Sequence, residues 1–277
     1  YDLNDNINVY ASYATGFKAA SVNLSRDSRP TLADAAALGA AGLLQVNQTF
    51  GSRYADPEKS AVYEFGVKGN WSGISANLAV FKQEIKGFQS NIFTGKGFEL
   101  GNAGKQSTFG VEFEGQAKVT RGLTFNLGIT YLDPKYDDFV YSAVGDLSGT
   151  TPAGIPKWTV VVGGQYDHEL GNGDHLILNG SYHFESKAPI VDGLPGFLSL
   201  GTSVAIAQAA QFTREVNQVD ASLTYAMANG LEVTVWGRNI TNNRYLLSLF
   251  DSVAQPFSIS GYPNEPRTYG VTARFKM

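Results

Sequence analysis

The chain has 277 residues, a formal net charge of −4 and a hydrophobic fraction of 43%, which indicate a folded chain of one large domain or two ordinary ones. The negative charge and the lack of any basic run argue against a nucleic-acid-binding surface. Cysteine is absent, which excludes disulfides and thiolate metal sites, and no apolar run reaches the roughly 18 residues that a membrane helix needs.

Alternating apolar and polar residues predict β-strands along the whole chain. In the first strand Ile7, Val9 and Ala11 alternate with more polar side chains. Ten such strands are predicted, at residues 7–13, 63–68, 74–88, 111–116, 124–130, 158–167, 176–183, 219–225, 231–238 and 269–277. Helical spacing occurs once, near residues 31–45, with Thr31 as the N-cap. The predicted fold class is therefore all-β.

The connections between the predicted strands alternate between two lengths. The short turns are residues 69–73, 119–122, 168–174 and 227–230. The long loops are residues 18–58, 88–100, 138–156, 187–216 and 248–265. All short turns therefore lie at one end of the sheet, which is how outer-membrane β-barrels place their periplasmic turns and extracellular loops. A soluble β-sandwich shows the same alternation within its strands but has no reason to sort its loops by length.

The side chains favour the same antiparallel transmembrane β-barrel. Lysine and arginine are scarce on the inferred lipid face, where each costs about 2–4 kcal/mol at the bilayer midplane. Six aromatic residues lie toward strand ends, where a barrel places its aromatic girdles: Tyr13, Trp71, Phe125, Trp158, Tyr225 and Tyr245. The sequence therefore predicts a chain that is surrounded by outer-membrane lipid.

Several segments of the chain resemble the barrel of TonB-dependent outer-membrane receptors. They are Tyr10–Lys18, Tyr63–Lys68, Leu78–Phe81, Asn102–Gly104, Gly110–Gly115, Asn239–Tyr245 and Pro266–Val271. Each segment is weakly specific alone, and the set is specific because it occurs in this order along the chain. The resemblance covers essentially all of the strands and leaves out the long loops.

The resemblance implies a barrel of roughly 22 strands that encloses a plug. Residues 1–277 would be the C-terminal portion of that barrel, about ten strands, with the plug domain and the N-terminal strands absent. Tyr1 is not an initiator methionine, and strand alternation begins by Ile7. We therefore interpret the chain as part of a longer protein.

Ligand contact is expected in the long loops, because large aromatic side chains in such places bind flat or amphipathic ligands. The predicted ligand-binding residues are Phe197, Phe212, Arg214, Phe250, Phe257 and Tyr262. Two alternatives stay open. The aromatic side chains could pack against one another and close the loops. Arg214, Arg238 and Arg267 could offer their guanidinium groups to an anionic iron chelate. They could instead pair with the plug or with barrel carboxylates such as Glu64, Glu112 and Glu114.

Catalysis is not expected of this sequence. His168 and His175 flank a short turn, away from any ligand. Ser181 and His183 share a strand face, and a histidine that lies beside a serine can activate it as a nucleophile. Alternation places both of these side chains toward the lumen rather than the lipid, so a lipid substrate would not reach them. No catalytic residue, metal site or cofactor is predicted.

By resemblance, the predicted function is active transport across the outer membrane. The receptor would import a scarce nutrient, a ferric siderophore, with energy that the TonB complex delivers through the N-terminal part of the protein. The alternative is a stand-alone small outer-membrane barrel, either a passive pore or a lipid-active enzyme. Ten strands can close on their own, around a narrow lumen that side chains fill.

Overall fold

The computed structural model describes residues 1–22, 32–40, 54–93, 98–140, 142–252 and 255–276. Most of them lie in β-strands, so the predicted all-β class is confirmed. The strands are β1 (Asp2–Asn4), β2 (Ile7–Lys18), β3 (Ser21–Val22), β4 (Tyr54–Ala55), β5 (Glu58–Trp71), β6 (Ile74–Phe93), β7 (Phe98–Lys118), β8 (Leu123–Asp138), β9 (Trp158–Glu169), β10 (His175–Pro189), β11 (Thr213–Ala226), β12 (Leu231–Arg238), β13 (Leu246–Asp251), β14 (Ile259–Pro263) and β15 (Thr268–Phe275).

Eleven of these strands form one sheet, in the order β1-β2-β5-β6-β7-β8-β9-β10-β11-β12-β15, in which every neighbouring pair is antiparallel. The ten predicted strands are all present, in the predicted order, and β1 adds three residues at one edge. Within the described ranges no pairing joins β15 to β1 or β2, so the sheet has two free edges. The small pairs β3-β4 and β13-β14 lie in the loops.

The register of the sheet gathers the apolar side chains on one face. Phe65 lies opposite Val80, which lies opposite Val111 on the next strand. At the other side of the sheet Leu223 lies between Leu178 and Val235. Because residues directly opposite each other point to the same face, these ladders make one continuous apolar outer face. Such a face is what a transmembrane barrel presents to lipid.

Aromatic side chains mark both ends of this outer face. On the side of the long loops the rings of Tyr13 and Tyr63 lie 4.9 Å apart, and those of Tyr131 and Trp158 lie 4.8 Å apart. On the side of the short turns are Trp71, Phe125 and Tyr225, near the ends of β5 and β11 and at the start of β8. The prediction that Tyr245 belongs to an aromatic girdle is wrong. This residue lies in a loop, one position before β13, which is outside the eleven-stranded sheet.

The connections keep the predicted sorting, with one correction. Short turns at residues 72–73, 119–122, 170–174 and 227–230 share one rim. A long loop was expected at residues 88–100, but β6 and β7 stay paired up to Phe93 and Phe98, and residues 94–97 lie outside the described part. The backbone ladder continues past the apolar alternation because cross-strand hydrogen bonds need no apolar face. β6 and β7 therefore project well beyond the rest of the sheet.

The predicted helix near residues 31–45 is present as a 3-10 turn, Leu32–Asp34, followed by α1, Ala35–Ala40. Its predicted cap, Thr31, lies outside the described residues. A second pair of helical segments was not predicted: a 3-10 helix at Pro195–Leu200 and α2 at Thr202–Ala210. Among the helices that the structure describes, none has the length and apolar character to cross a membrane.

Candidate functional site: the packed outer loops

Three long connections pack together beyond the long-loop rim of the sheet. We call them loop A (residues 139–157), loop B (residues 190–212) and loop C (residues 239–267). Their shared core contains nine buried side chains, one of them at the end of β8: Tyr136, Phe139, Val144, Leu147, Leu194, Phe197, Ala205, Ala209 and Leu249. Because each loop contributes to the same core, the three loops are held as one body.

Two glycines allow loop B to approach its neighbours closely. A Cβ atom on Gly193 would lie 2.5 Å from a methyl group of Val144 in loop A. A Cβ atom on Gly196 would lie 2.7 Å from Oδ1 of Asp251 in loop C. Neither distance leaves room for a side chain. Both glycines therefore position the start of the 3-10 helix between loops A and C.

A cavity of about 330 Å³ lies between the three loops. Its lining is apolar on most sides, with Val144, Leu194 and Leu249 among the contributing side chains. Two carboxylates, Asp192 and Asp251, supply its charged groups. A small apolar chamber with a few polar groups is the usual composition of a ligand pocket.

Asp192 is held in place by two hydrogen bonds. It accepts one from the backbone N–H of Ala153, at 2.7 Å, and one from the hydroxyl of Tyr136, at 3.0 Å. Burial raises the pKa of the Asp192 carboxyl above its ordinary value, while the two donors oppose that rise. Asp192 thus joins loop A to loop B at one wall of the cavity.

Asp251 is only partly satisfied. Its Oδ2 accepts a hydrogen bond of 2.8 Å from the backbone N–H of Gly196, whereas its Oδ1 is buried and has no hydrogen-bond partner among the described residues. The residue is 6% exposed, and burial raises the pKa of its carboxyl. Asp251 therefore brings a buried carboxylate with one unsatisfied oxygen to the wall of the cavity.

The predicted ligand-binding aromatics fall into two groups. Phe197 is part of the loop core and Phe212 packs against it, as the alternative of loop closure expected. Phe250 and Tyr262 lie on the β13-β14 hairpin with their rings 5.6 Å apart, and both are exposed. Phe257 is also exposed and lies 5.6 Å from the ring of Phe197, which links the two groups. Ligand binding by these residues stays a prediction.

Arg214 is paired within the protein. Its Nη2 atom lies 3.0 Å from Oε2 of Glu185 on the neighbouring strand and donates to the carbonyl of Gly154, at 3.2 Å. The alternative that this arginine pairs with a barrel carboxylate is confirmed, and the partner is Glu185. Arg238 instead lies over the ring of Trp236, 5.5 Å from its centroid.

Loop C leaves and rejoins the sheet at a cluster built on Asn239. The side-chain amide of Asn239 donates to the carbonyls of Asn243 and Glu265, and its Oδ1 accepts from the backbone N–H of Asn243. Asn239 has a φ of 49°, a left-handed conformation that asparagine tolerates. One buried side chain thereby joins the two ends of loop C.

The sequence did not identify Asp192 and Asp251. Asp192 precedes a glycine, a pair that reads as an exposed turn, and Asp251 follows a short apolar run. Neither pattern predicts burial. Only packing between loops that are distant in sequence removes these carboxylates from water.

The histidines lie apart from the loop cavity. Nδ1 of His175 lies 2.7 Å from Oδ1 of Asp167 at the short-turn rim. Nε2 of His183 lies 3.5 Å from Glu185, and within the described segments no hydrogen bond joins it to Ser181. The described residues also contain no group of three or more histidine and acidic side chains that could hold a metal ion.

The inner face of the sheet is polar and concave. It forms a groove of about 920 Å³ that includes Asn126, Asn179, Asp220, Arg238 and Thr272. This face is opposite to the apolar ladders and carries the side chains that a barrel turns toward its lumen.

The chain matches a family described as "TonB dependent receptor-like, beta-barrel" over residues 1–240. Its fold is similar to that of the ferric yersiniabactin uptake receptor FyuA from Yersinia pestis, with a TM-score of 0.72 and 18% identity over 99% of this chain and 36% of that one.

The fold is also similar to BauA, the ferric preacinetobactin receptor from Acinetobacter baumannii, with a TM-score of 0.61 and 18% identity over 98% of this chain and 34% of that one. For the ferric-catecholate import receptor Fiu from E. coli K12 in its closed form, the TM-score is 0.64 and the identity 18%, over 99% of this chain and 33% of that one. The chain spans about a third of the length of these solved structures. It belongs to the TonB-dependent receptor-like β-barrels, which are bacterial outer-membrane proteins.

Proposed function

We propose that this chain is part of an outer-membrane receptor that imports a ferric siderophore with energy from the TonB complex. The observation that carries the proposal is the arrangement of the loops. Three long loops on one rim share a core and enclose a cavity with two buried carboxylates. Three proteins with a similar fold are named as receptors for ferric yersiniabactin, ferric preacinetobactin and ferric catecholates.

We further propose that the ten long strands are the C-terminal portion of a barrel of roughly 22 strands. Two observations support this. The sheet is open at β1 and β15 in the described part of the chain, and the chain covers 36% of FyuA. An open edge exposes unpaired N–H and C=O groups, which costs free energy in lipid unless another strand pairs with them. The preceding strands would complete the barrel wall, of which the eleven-stranded sheet is a part, and a plug would fill the lumen.

In this proposal the wall and the loops have different tasks. The outer loops and the apex of the plug bind the chelate, and the wall holds the loops at fixed positions. Energy delivered through TonB rearranges the plug, and the chelate passes inward through the lumen. The polar groove on the inner face is the surface on which the plug would slide.

Ligand contact is assigned to the exposed members of the predicted set. Phe250, Phe257 and Tyr262 present their rings at the surface of loop C. Phe197, Phe212 and Arg214 would support the ligand site without contacting the ligand. The two phenylalanines pack in or against the loop core, and Arg214 pairs with Glu185. The ligand would meet this exposed aromatic surface of loop C first.

Members of this family are transport receptors rather than enzymes. The alternative of a stand-alone small barrel, a passive pore or a lipid-active enzyme, needs a closed wall. The open sheet does not favour it.

Deletion of the complete gene tests the transport proposal. A deletion strain should fail to grow on one ferric chelate in a panel and grow normally on the others, and the complete gene should restore growth. Unchanged growth on every chelate would overturn the proposal. Expression of residues 1–277 alone tests the partial barrel: we expect aggregation, whereas a monomer that shifts in SDS electrophoresis only on heating would contradict it.

A further inference from the structure

Three lysines stand side by side on the outer face of the sheet, on the long-loop side. Lys59 of β5 lies directly opposite Lys86 of β6, and Lys86 lies directly opposite Lys105 of β7. We call Lys59, Lys86 and Lys105 the lysine row. Side chains directly opposite each other on neighbouring strands have Cβ atoms about 4.5–5.5 Å apart, and like charges in this position repel.

The carboxylates nearby neutralise only one end of the row. Nζ of Lys105 lies 3.4 Å from Glu84 and 3.8 Å from Asp137. In the described part of the chain no ion pair joins Lys59 or Lys86 to a carboxylate, and both residues are exposed. Lys59 and Lys86 are therefore two adjacent exposed cations that no carboxylate of the described residues pairs with, and an anion from outside the protein would relieve their mutual repulsion.

The position of the row indicates where that anion comes from. Lys59 is four residues from Tyr63 along β5, on the same face and toward the loops. At about 3.3 Å per residue this is roughly 13 Å along the strand, or about 10 Å along the membrane normal for a strand tilted by about 40°. Tyr13 and Tyr63 form part of the aromatic girdle, which lies at the level of the interface. The row therefore lies at the headgroups of the outer leaflet.

We propose that the lysine row binds the phosphorylated headgroup of an outer-leaflet glycolipid. Phosphate groups carry the compact negative charge that ammonium groups contact as point charges. The face that carries the row also carries the apolar ladders, so the acyl chains of the same lipid would lie against Phe65 and Val80 below it. The site is on the outside of the wall and is independent of what the receptor imports.

The test uses the product of the complete gene, purified in detergent, and native mass spectrometry of its lipid complexes. The lipid probe is diphosphoryl lipid A, compared with its dephosphorylated form and with inorganic phosphate. The test variant is K59Q/K86Q. Its matched control, K68Q/K118Q, removes the same charge from two exposed lysines on the inner face. A further variant, K59R/K86R, keeps the charge at the row.

Each lysine near a membrane surface contributes roughly a fivefold gain in lipid affinity, so K59Q/K86Q should bind diphosphoryl lipid A about 25-fold more weakly. K68Q/K118Q and K59R/K86R should bind as the parent does, and the dephosphorylated lipid should bind weakly to all. Equal losses in the two glutamine variants, or equal binding of the dephosphorylated lipid, would overturn the proposal. Displacement of the lipid by an equal concentration of inorganic phosphate would assign the row to a soluble anion instead.

Discussion

The backbone N–H of Asn239 donates a hydrogen bond of 2.7 Å to Oδ1 of Asp220, which joins the first residue after β12 to the middle of β11. The same asparagine is 2% exposed, and its side chain bonds both ends of loop C. The side chain of Asn239 thus helps to fix the position of loop C, together with that of Asn264, which donates to the same two carbonyls.

Replacement of Asn239 by alanine should loosen loop C. The change removes one of the two donors to the carbonyls of Asn243 and Glu265, which Asn264 also serves. It leaves the backbone N–H of Asn243 without its acceptor, and an unsatisfied buried group costs about 1–3 kcal/mol. Hydrogen–deuterium exchange should therefore speed up in loop C and stay unchanged in β11. The control is Asn242→Ala. Asn242 has a similar φ of 52°, and its Oδ1 accepts one long hydrogen bond, 3.4 Å, from the backbone N–H of Arg267. Equal exchange in the two variants would contradict the role of Asn239.

Replacement of Leu194 by alanine should destabilise the loop core by about 2–5 kcal/mol, because Leu194 is fully buried between loops A and C. The wall should remain folded, since its strands are held by their own hydrogen bonds. We expect faster proteolytic cleavage in the loops with an unchanged heat-dependent shift in SDS electrophoresis. Leu200→Ala, at an exposed position, should leave the cleavage rate as it is. Loss of the electrophoretic shift would show that the wall depends on the loop core.

The packing of the loops should weaken as the pH rises above the ordinary carboxyl pKa of about 3.9. Burial raises the pKa of Asp192, so the folded loops keep a proton that the unfolded loops have already released. Stability is therefore greatest below the ordinary pKa and falls as the pH rises through the raised pKa. Asp251 has a raised pKa and acts with the same sign.

Asp192→Asn should reduce this loss of loop stability with rising pH. Amide exchange in loop B, corrected for the intrinsic rate at each pH, measures the effect. The control is Asp146→Asn in loop A, because hydrogen bonds from Ser148 lower the pKa of that exposed carboxyl and give it the opposite sign. An unchanged pH dependence in Asp192→Asn would mean that this carboxyl is not the group that titrates.

Removal of the exposed aromatic pair should weaken ligand binding without loosening the loops. We expect Phe250→Ala combined with Tyr262→Ala to lower the affinity for the imported chelate by roughly tenfold, since each aromatic contact with a ligand ring would contribute about 0.5–1.5 kcal/mol beyond the area it buries. Leu247→Ala, an exposed change on the same hairpin, should bind the chelate normally. Calorimetric titration checks both, and equal affinity in all three proteins would exclude the pair from the ligand site.

The strands of the barrel wall could be predicted from the sequence because successive residues of a strand point to opposite faces, so an apolar face appears as every second residue. The apolar positions around Phe65, Leu178 and Val235 specify both the strands and their register. The extension of β6 and β7 escaped prediction because backbone pairing there goes on without an apolar face. Helix α2 escaped it because small apolar residues such as Ala205 fit a packed loop as well as a helix.

The site was less predictable than the wall. Aromatic side chains in loops B and C indicated the loops that enclose the cavity, yet nothing local distinguishes buried Phe197 from exposed Phe257. The cavity forms from Val144, Leu194 and Leu249, which are far apart in the chain. Burial of Asp192 and Asp251 is a property of that assembly, so it follows from tertiary packing alone.

The most direct test of TonB-dependent import is uptake of iron-55, supplied as a panel of ferric chelates, by cells that carry the complete gene. We expect one chelate to enter, its entry to stop when TonB is absent or the proton gradient is dissipated, and binding at the cell surface to persist. Entry of every small solute, independent of TonB, would identify a passive pore and contradict import by a receptor.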